Sequence, residues 1–174
     1  MIRANESPAM TLLGGAFILI CLHWLCACGT GENSGIDGDF DDKDYLHAEI
    51  EKLSRAASKE PDNPRAYLGL AWAQLDDKEY HQAIKNFNLT LQKHPKMSVA
   101  YMGLGTAYQS LGQYQYAIDS YNQAIRHHPD WYFAYFQLGK IYKEKGNMEK
   151  ALKYLDLLMV HDKNLANKLM NFLY

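Results

Sequence analysis

Apolar residues recur at spacings of three and four in the part of the chain that begins at Tyr45, and this pattern predicts amphipathic helices. Between Pro61 and Asp162 one set of residue types is written three times, at a spacing of 34. A fixed period of this length predicts stacked repeats, which more often supply a binding surface than a catalytic cleft. The recurring positions are Tyr67, Tyr101 and Tyr135, Leu70, Leu104 and Leu138, Ala83, Ala117 and Ala151, and Pro61, Pro95 and Pro129.

The period divides this region into repeated units, each of which we expect to contain two helices joined by a turn. An additional helix precedes the first unit in the position of a second helix, so it is interpreted as a half-repeat that caps the array. A short helix follows the last unit. The predicted segments are residues 45–63 for the half-repeat, 64–97, 98–131 and 132–164 for the three units, and 165–174 for the C-terminal helix.

Residues at the predicted helix ends agree with this division. Asn63 is a favourable N-cap, and Pro64 suits the first helical turn because its missing N–H would be unsatisfied there. Gly112 and Gly146 are predicted to end the first helices of the second and third units, since glycine readily adopts the left-handed C′ conformation.

Eight positions of the second unit, listed below, together resemble the pattern of the tetratricopeptide repeat. The third unit departs from that pattern at Leu155, Leu158 and Lys163, which indicates a degenerate last repeat. The resemblance implies an all-α fold, a right-handed superhelix of antiparallel helix pairs with about three repeats. The matching residues are Tyr101, Leu104, Gly105, Tyr108, Ala117, Tyr121, Ala124 and Pro129.

The same resemblance assigns the concave face of the superhelix to the first helix of each pair. The residues assigned there are mostly apolar or aromatic, so we expect a groove suited to an amphipathic helix or an extended apolar peptide. The alternative is that the half-repeat or the terminal helix buries them. The Lys and Asn clamp of chaperone-binding relatives is missing. The predicted groove residues are Leu68, Trp72, Leu75, Val99, Met102, Thr106, Phe133, Phe136, Gln137 and Lys140.

The C-terminal helix places Leu165, Leu169, Phe172 and Leu173 on one side, and its end is interpreted as apolar. A last repeat normally needs a polar outer face. The helix therefore either packs on the last pair as a short cap or forms a dimer contact. We expect the cap, because large exposed apolar patches are rare.

Residues 1–27 have the layout of a secretory signal peptide, and the tetrad Leu25-Cys26-Ala27-Cys28 resembles the bacterial lipobox. A match implies lipid on Cys28 and attachment to a membrane of the cell envelope. Gly29 is not the aspartate that often retains such lipoproteins in the inner membrane, which favours the outer membrane, facing the periplasm. An uncleaved signal anchor and a cytoplasmic protein are the alternatives.

Residues 28–44 are rich in glycine and acidic residues, and we expect a flexible tether. Asp37, Asp39 and Asp41 are spaced like the first ligands of an EF-hand loop. However, Asp42 stands where that loop needs glycine and Ala48 where it needs glutamate, so no calcium site is predicted.

Composition narrows the class of function. A hydrophobic content of 48%, a charged content of 22% and a length of 174 residues fit one soluble domain with a leader. The net charge of -2 and the scattered basic residues give no support for nucleic-acid binding. All three cysteines, Cys21, Cys26 and Cys28, precede the repeats, which therefore contain neither a disulfide nor a cysteine metal site.

The histidines are the only candidates for chemistry. His94 and His128 share one repeat position, and His127 and His161 share the preceding one. A histidine in the last turn of a helix can interact with the helix dipole and free carbonyls, whereas a metal needs three or four converging ligands. We therefore expect no metal and no cofactor.

No catalytic motif is present in the sequence. The prediction is a non-catalytic, membrane-tethered adaptor for a protein or peptide partner of an envelope complex, such as a pilus, secretion or wall-remodelling assembly. A structural homo-oligomer formed through the C-terminal helix is the main alternative. A histidine-based metal protein or enzyme is a more distant one.

Overall fold

The computed structural model of the chain describes residues 42–174, in which it places eight α-helices and no strand. The all-α prediction is confirmed. The predicted signal peptide, Cys28 and the tether up to residue 41 lie outside the described residues. The helices are α1 Asp42–Lys59, α2 Pro64–Asp76, α3 Tyr80–Lys93, α4 Ser98–Ser110, α5 Tyr114–His127, α6 Tyr132–Glu144, α7 Met148–His161 and α8 Lys163–Leu173.

Neighbouring helices along the chain are also neighbours in space, because the connections between them are short. Each helix packs against the next one, and α2 also contacts α4, as α6 contacts α8. The result is three stacked helix pairs, α2–α3, α4–α5 and α6–α7, with α1 before them and α8 after them. None of the described helices is both long enough and apolar enough to cross a membrane.

The turn inside each pair places one residue in the left-handed conformation. The predictions for Gly112 and Gly146 are confirmed, with φ angles of 70° and 73°. The first pair uses Lys78 at the equivalent position, with a φ of 62°. In all three turns the following residue donates its N–H five residues back, which satisfies a carbonyl that the helix end would leave free. These bonds are Glu79 to Gln74, Gln113 to Tyr108, and Asn147 to Tyr142.

Side-chain caps define where three of the helices begin. Asn63 Oδ1 accepts the N–H of Arg65 at 3.0 Å, which confirms Asn63 as the N-cap of α2. Asn147 caps α7 in the same way. Asp162 caps α8, so α8 begins at Lys163, two residues before the predicted start at 165.

The first described helix also begins earlier than predicted. Helix α1 starts at Asp42, whereas residues 28–44 were assigned to the tether and the helix was expected from Tyr45. The carboxylate of Asp44 lies in the first turn, where the positive end of the helix dipole favours an acidic side chain. The last three tether residues therefore belong to the helix.

Small recurring side chains let the two helices of a pair cross closely. Ala83, Ala117 and Ala151 are each 0% exposed, and they lie at the same position of the three pairs. The large side chains Phe87 and Tyr121 fill the space between pairs and are also fully buried. The repeat pattern in the sequence is thus a packing pattern.

Helix α8 ends the array with a polar surface, so the interpretation of the C-terminal end as apolar is wrong. Its apolar side chains Ala166, Leu169 and Leu173 are buried at 0%, 0% and 5% exposure in a cluster with residues of α7. An isolated list of apolar positions missed the residues between them. The exposed side chains of α8 include Lys163, Asn164, Asn167, Lys168 and Asn171.

Candidate functional site

The side chains of α2, α4 and α6 that were predicted to line the groove form what we call the first-helix face. They differ widely in exposure. Phe133 is exposed at 46%, while Leu75, Met102 and Gln137 are buried at 8%, 6% and 9% and are not accessible to a partner in this conformation. The remaining six are partly buried, namely Leu68, Trp72, Val99, Thr106, Phe136 and Lys140.

Trp72 is fixed on this face by the core beneath it. Its ring meets the ring of Phe87 edge to face, with 5.4 Å between centroids. Leu68 and Trp72 both pack on the buried cluster that contains Phe87. Because its rotamer is held by this contact, Trp72 loses little conformational entropy if a partner covers its exposed edge.

Thr106 belongs to a hydrogen-bond network that joins α4 to α5. The Tyr121 hydroxyl donates to Gln109 Oε1 at 2.8 Å and lies 3.3 Å from Thr106 Oγ1, which also donates to the Met102 carbonyl. Burial raises the pKa of Tyr121 far above its usual range, while the hydrogen bond from Thr106 opposes that shift. The tyrosine therefore stays neutral, and the network supports the face without supplying an acid or base.

Helix α6 carries a stripe of two phenylalanines followed by two lysines. The rings of Phe133 and Phe136 lie 6.0 Å apart. Lys140 Nζ lies 5.7 Å from the Phe136 centroid and 5.3 Å from that of Phe172 on α8. Lys143 Nζ lies 4.8 Å from the Phe172 centroid and donates a hydrogen bond to the Phe172 carbonyl.

Two members of this group, Lys143 and Phe172, were not among the predicted groove residues. Lys143 stands 68 residues after Leu75, at the same position of the unit, so the period could have identified it. Phe172 could not be placed by the period, because α8 begins three residues before the repeat would start a new unit.

Gln137 stands where the two earlier pairs have Gly69 and Gly103. Its Oε1 atom is buried and makes no hydrogen bond with any residue in the range 42–174. A buried amide oxygen without a donor costs free energy. This atom is a strained feature of the face, although its burial keeps it from solvent.

The recurring histidines stack on aromatic rings. His127 lies over Tyr101 at 5.7 Å between centroids, and His161 lies over Tyr132 at 5.3 Å. Ring stacking explains their recurrence more directly than the expected interaction with free carbonyls. Within residues 42–174 no three His, Cys, Asp or Glu side chains are grouped closely enough to hold a metal ion.

Family models for the tetratricopeptide repeat match the chain at residues 50–98, 98–130 and 134–158, which together span more than half of it. No curated protein matches the chain.

Solved structures similar to this chain have the same architecture. A crystal structure of MamA is 26% identical, with a TM-score of 0.65 over 70% of this chain and 71% of that one. MamA from Desulfovibrio magneticus RS-1 is 18% identical, with a TM-score of 0.65 over 70% of this chain and 68% of that one.

A chain of the APC/C hetero-tetramer Cut9–Hcn1 is 19% identical, with a TM-score of 0.67 over 76% of this chain. The match covers 25% of that longer chain. At 18% and 19% identity these likenesses show the fold alone. With the three family-model matches and the stacked helix pairs, they lead to one conclusion: this chain belongs to the tetratricopeptide-repeat family and has its all-α superhelical fold, a scaffold for protein–protein interaction.

Proposed function

We propose that this protein is a non-catalytic adaptor of the cell envelope, which is held on a membrane by lipid on Cys28 and binds a peptide or helix of another protein on its first-helix face. The single observation that carries the proposal is the half-open aromatic surface of a tetratricopeptide superhelix. Phe133 is 46% exposed there, and Trp72 and Phe136 are partly exposed. Aromatic side chains of this kind dominate the binding energy of many protein interfaces.

The form of the face favours an elongated partner. Its accessible side chains are distributed over three helices, α2, α4 and α6, and not gathered around one cavity. A helix or an extended peptide can contact all three helices with alternate side chains. A similar fold in the Cut9–Hcn1 hetero-tetramer is part of an assembly of several chains, which agrees with such a role.

The membrane-tethering part of the proposal rests on the leader. Residues 1–27 resemble a signal peptide, Ala27 and Cys28 satisfy the small-residue and thiol requirements of lipidation, and Gly29 favours the outer membrane. Several acyl chains give stable anchoring, whereas one gives only marginal binding. The partner would then belong to a pilus, secretion or wall-remodelling complex facing the periplasm.

Assembly of copies through the apolar side of α8 is the weaker alternative. Leu169 and Leu173, which would form such a contact, are already buried at 0% and 5% exposure within one chain. A dimer through these residues would first have to detach α8 from α7.

The binding part is tested by chemical crosslinking in cells that express the full chain, followed by purification and mass spectrometry. We expect specific partners to be lost from Phe133→Ala/Phe136→Ala and retained by Tyr116→Ala, a matched removal of an aromatic ring that is 61% exposed on α5. Identical partner sets for both variants would show that the first-helix face is not the binding surface.

The tethering part is tested by metabolic labelling with a fatty acid. The wild-type chain should take up label and sediment with membranes, whereas Cys28→Ala should do neither. Cys26→Ala is the control and should behave like the wild type, because Leu25 before it is not a small residue. Label that persists in Cys28→Ala would contradict lipidation at this cysteine.

A further inference from the structure

We infer that the α6 end of the first-helix face binds a peptide segment that carries carboxylates close to an apolar side chain. The inference rests on the proposed function, since it names the chemistry of the partner on the same face. It starts from the stripe of Phe133, Phe136, Lys140 and Lys143. These residues follow each other at spacings of three, four and three, so they lie along one side of α6.

The two lysines of the stripe are cations without an anion. In residues 43–174 no carboxylate lies within salt-bridge distance of Lys140 or Lys143, and both side chains are partly buried. Their neighbours are the Phe136 and Phe172 rings and the Phe172 carbonyl. Ring faces attract a cation but do not neutralise it, so an incoming carboxylate would find two oriented, uncompensated donors.

The surroundings add positive charge and little negative charge. Helix α4 contains no acidic or basic residue, and α8 contains Lys163 and Lys168 with no acidic residue. Glu144 is the acidic residue of α6, and its hydrogen bond with Tyr114 on α5 raises the pKa of that tyrosine. The field at this end of the face therefore favours an acidic partner.

The phenylalanines supply the apolar half of the site. Phe133 is the most exposed of the predicted face residues, and Phe136 supports it at 6.0 Å. Phe172 of α8 lies beside the lysines and orders them, and it leaves Phe133 open to solvent. A second apolar side chain could cover Phe133 without displacing α8.

The helix fixes the distance between the two halves. The midpoint of the lysine pair lies seven residues beyond that of the phenylalanine pair, which is about 10 Å along α6. An extended peptide spans this distance in about three residues. A helical peptide spans it in about seven residues.

The inference is tested with synthetic, fluorescently labelled peptides and the full chain purified in detergent. Each peptide carries one leucine and two glutamates at one of these two spacings, and its partner peptide has glutamine in place of glutamate. By fluorescence anisotropy we expect at least one glutamate peptide to bind about tenfold more tightly than its glutamine partner, as hydrogen bonds to charged groups allow. Added salt should reduce this preference.

Charge-removing variants then locate the effect. Lys140→Gln/Lys143→Gln should abolish the preference for glutamate while keeping the weaker binding of the glutamine peptide. Lys85→Gln/Lys153→Gln removes the same charge from exposed positions on α3 and α7 and should bind like the wild type. Circular dichroism checks that both variants keep the helix content of the wild type.

Three results would overturn the inference. They are the absence of binding by every glutamate peptide, equal affinities for the glutamate and glutamine peptides, and a glutamate preference that survives in Lys140→Gln/Lys143→Gln. The proposed function fails separately, when Phe133→Ala/Phe136→Ala keeps its crosslinked partners. The chemistry of the partner and the location of the face are therefore judged by different measurements.

Discussion

Two glycines at the same position of successive units should respond in opposite ways to replacement by alanine. A Cβ atom on Gly103 would lie within 3.0 Å of three atoms of the Phe87 ring, a distance that real Cβ atoms essentially never show. A Cβ atom on Gly69, 34 residues earlier, would meet Leu53 at 3.5 Å, which is ordinary van der Waals contact. Gly103→Ala and Gly69→Ala are therefore a matched pair.

The magnitude follows from two opposing terms. Both substitutions gain about 1 kcal/mol of helix propensity, because both residues lie inside helices. Gly103→Ala also forces the fully buried Phe87 ring to move, and overpacking of a core costs about 1 to 3 kcal/mol. Gly69→Ala should therefore be about 1 kcal/mol more stable than the wild type. The difference between the two variants should be about 1 to 3 kcal/mol, since the propensity terms cancel.

Thermal unfolding followed by circular dichroism measures this difference. At about 4 °C per kcal/mol for a domain of this size, the midpoint of Gly103→Ala should lie about 4 to 12 °C below that of Gly69→Ala. The cost of Gly103→Ala should fall when it is combined with Phe87→Leu, which places leucine opposite this position as Leu53 is opposite Gly69. Equal midpoints for the two alanine variants would refute the packing that the structure shows at these positions.

Three further substitutions test the turn, the core and the terminal helix by the free energy of unfolding in urea. Lys78→Gly should stabilise the protein by about 0.5 to 1 kcal/mol, because φ is 62° there and glycine relieves the strain; a loss of stability would contradict this. Ala117→Leu should cost about 1 to 3 kcal/mol, since Ala117 is 0% exposed, and an unchanged value would contradict the close helix crossing. Leu169→Ala should cost about 2 to 5 kcal/mol if α8 is part of the core, whereas exposed Met170→Ala should cost much less. Equal small effects at both positions would mean that α8 is detached.

The period of the sequence was enough to predict the helix pairs and their turns. Gly112 and Gly146 are the residue type that a left-handed C′ position prefers, so both turns could be located before the structure was known. Lys78 has no such signature, and its conformation follows from the two helices it joins. The fold was therefore predictable wherever the residues obey the local rule.

Exposure on the first-helix face could not be read from the period. Leu68, Met102 and Phe136 share one position of the unit, yet Met102 is buried at 6% exposure while the other two remain partly exposed. Whether a side chain at this position is covered depends on the sizes of its neighbours on adjacent helices. Those neighbours are not repeated from unit to unit.

The contact of α8 with the face was also beyond sequence reasoning. Lys163 replaces the proline of the earlier units and Asp162 caps the next helix at once, which takes α8 out of the 34-residue period. The position of Phe172 between Lys140 and Lys143 depends on that shift. Departures of the last unit from the family pattern are thus where the structure adds most.

The most direct test of the first-helix face is photocrosslinking in intact cells, with benzoylphenylalanine placed in the full chain at position 133 or at position 116. Both natural side chains are exposed aromatic rings, at 46% on α6 and 61% on α5. We predict a discrete crosslinked species with the probe at Phe133 and none with the probe at Tyr116. The same species from both positions, or a species from Tyr116 alone, would contradict binding on this face.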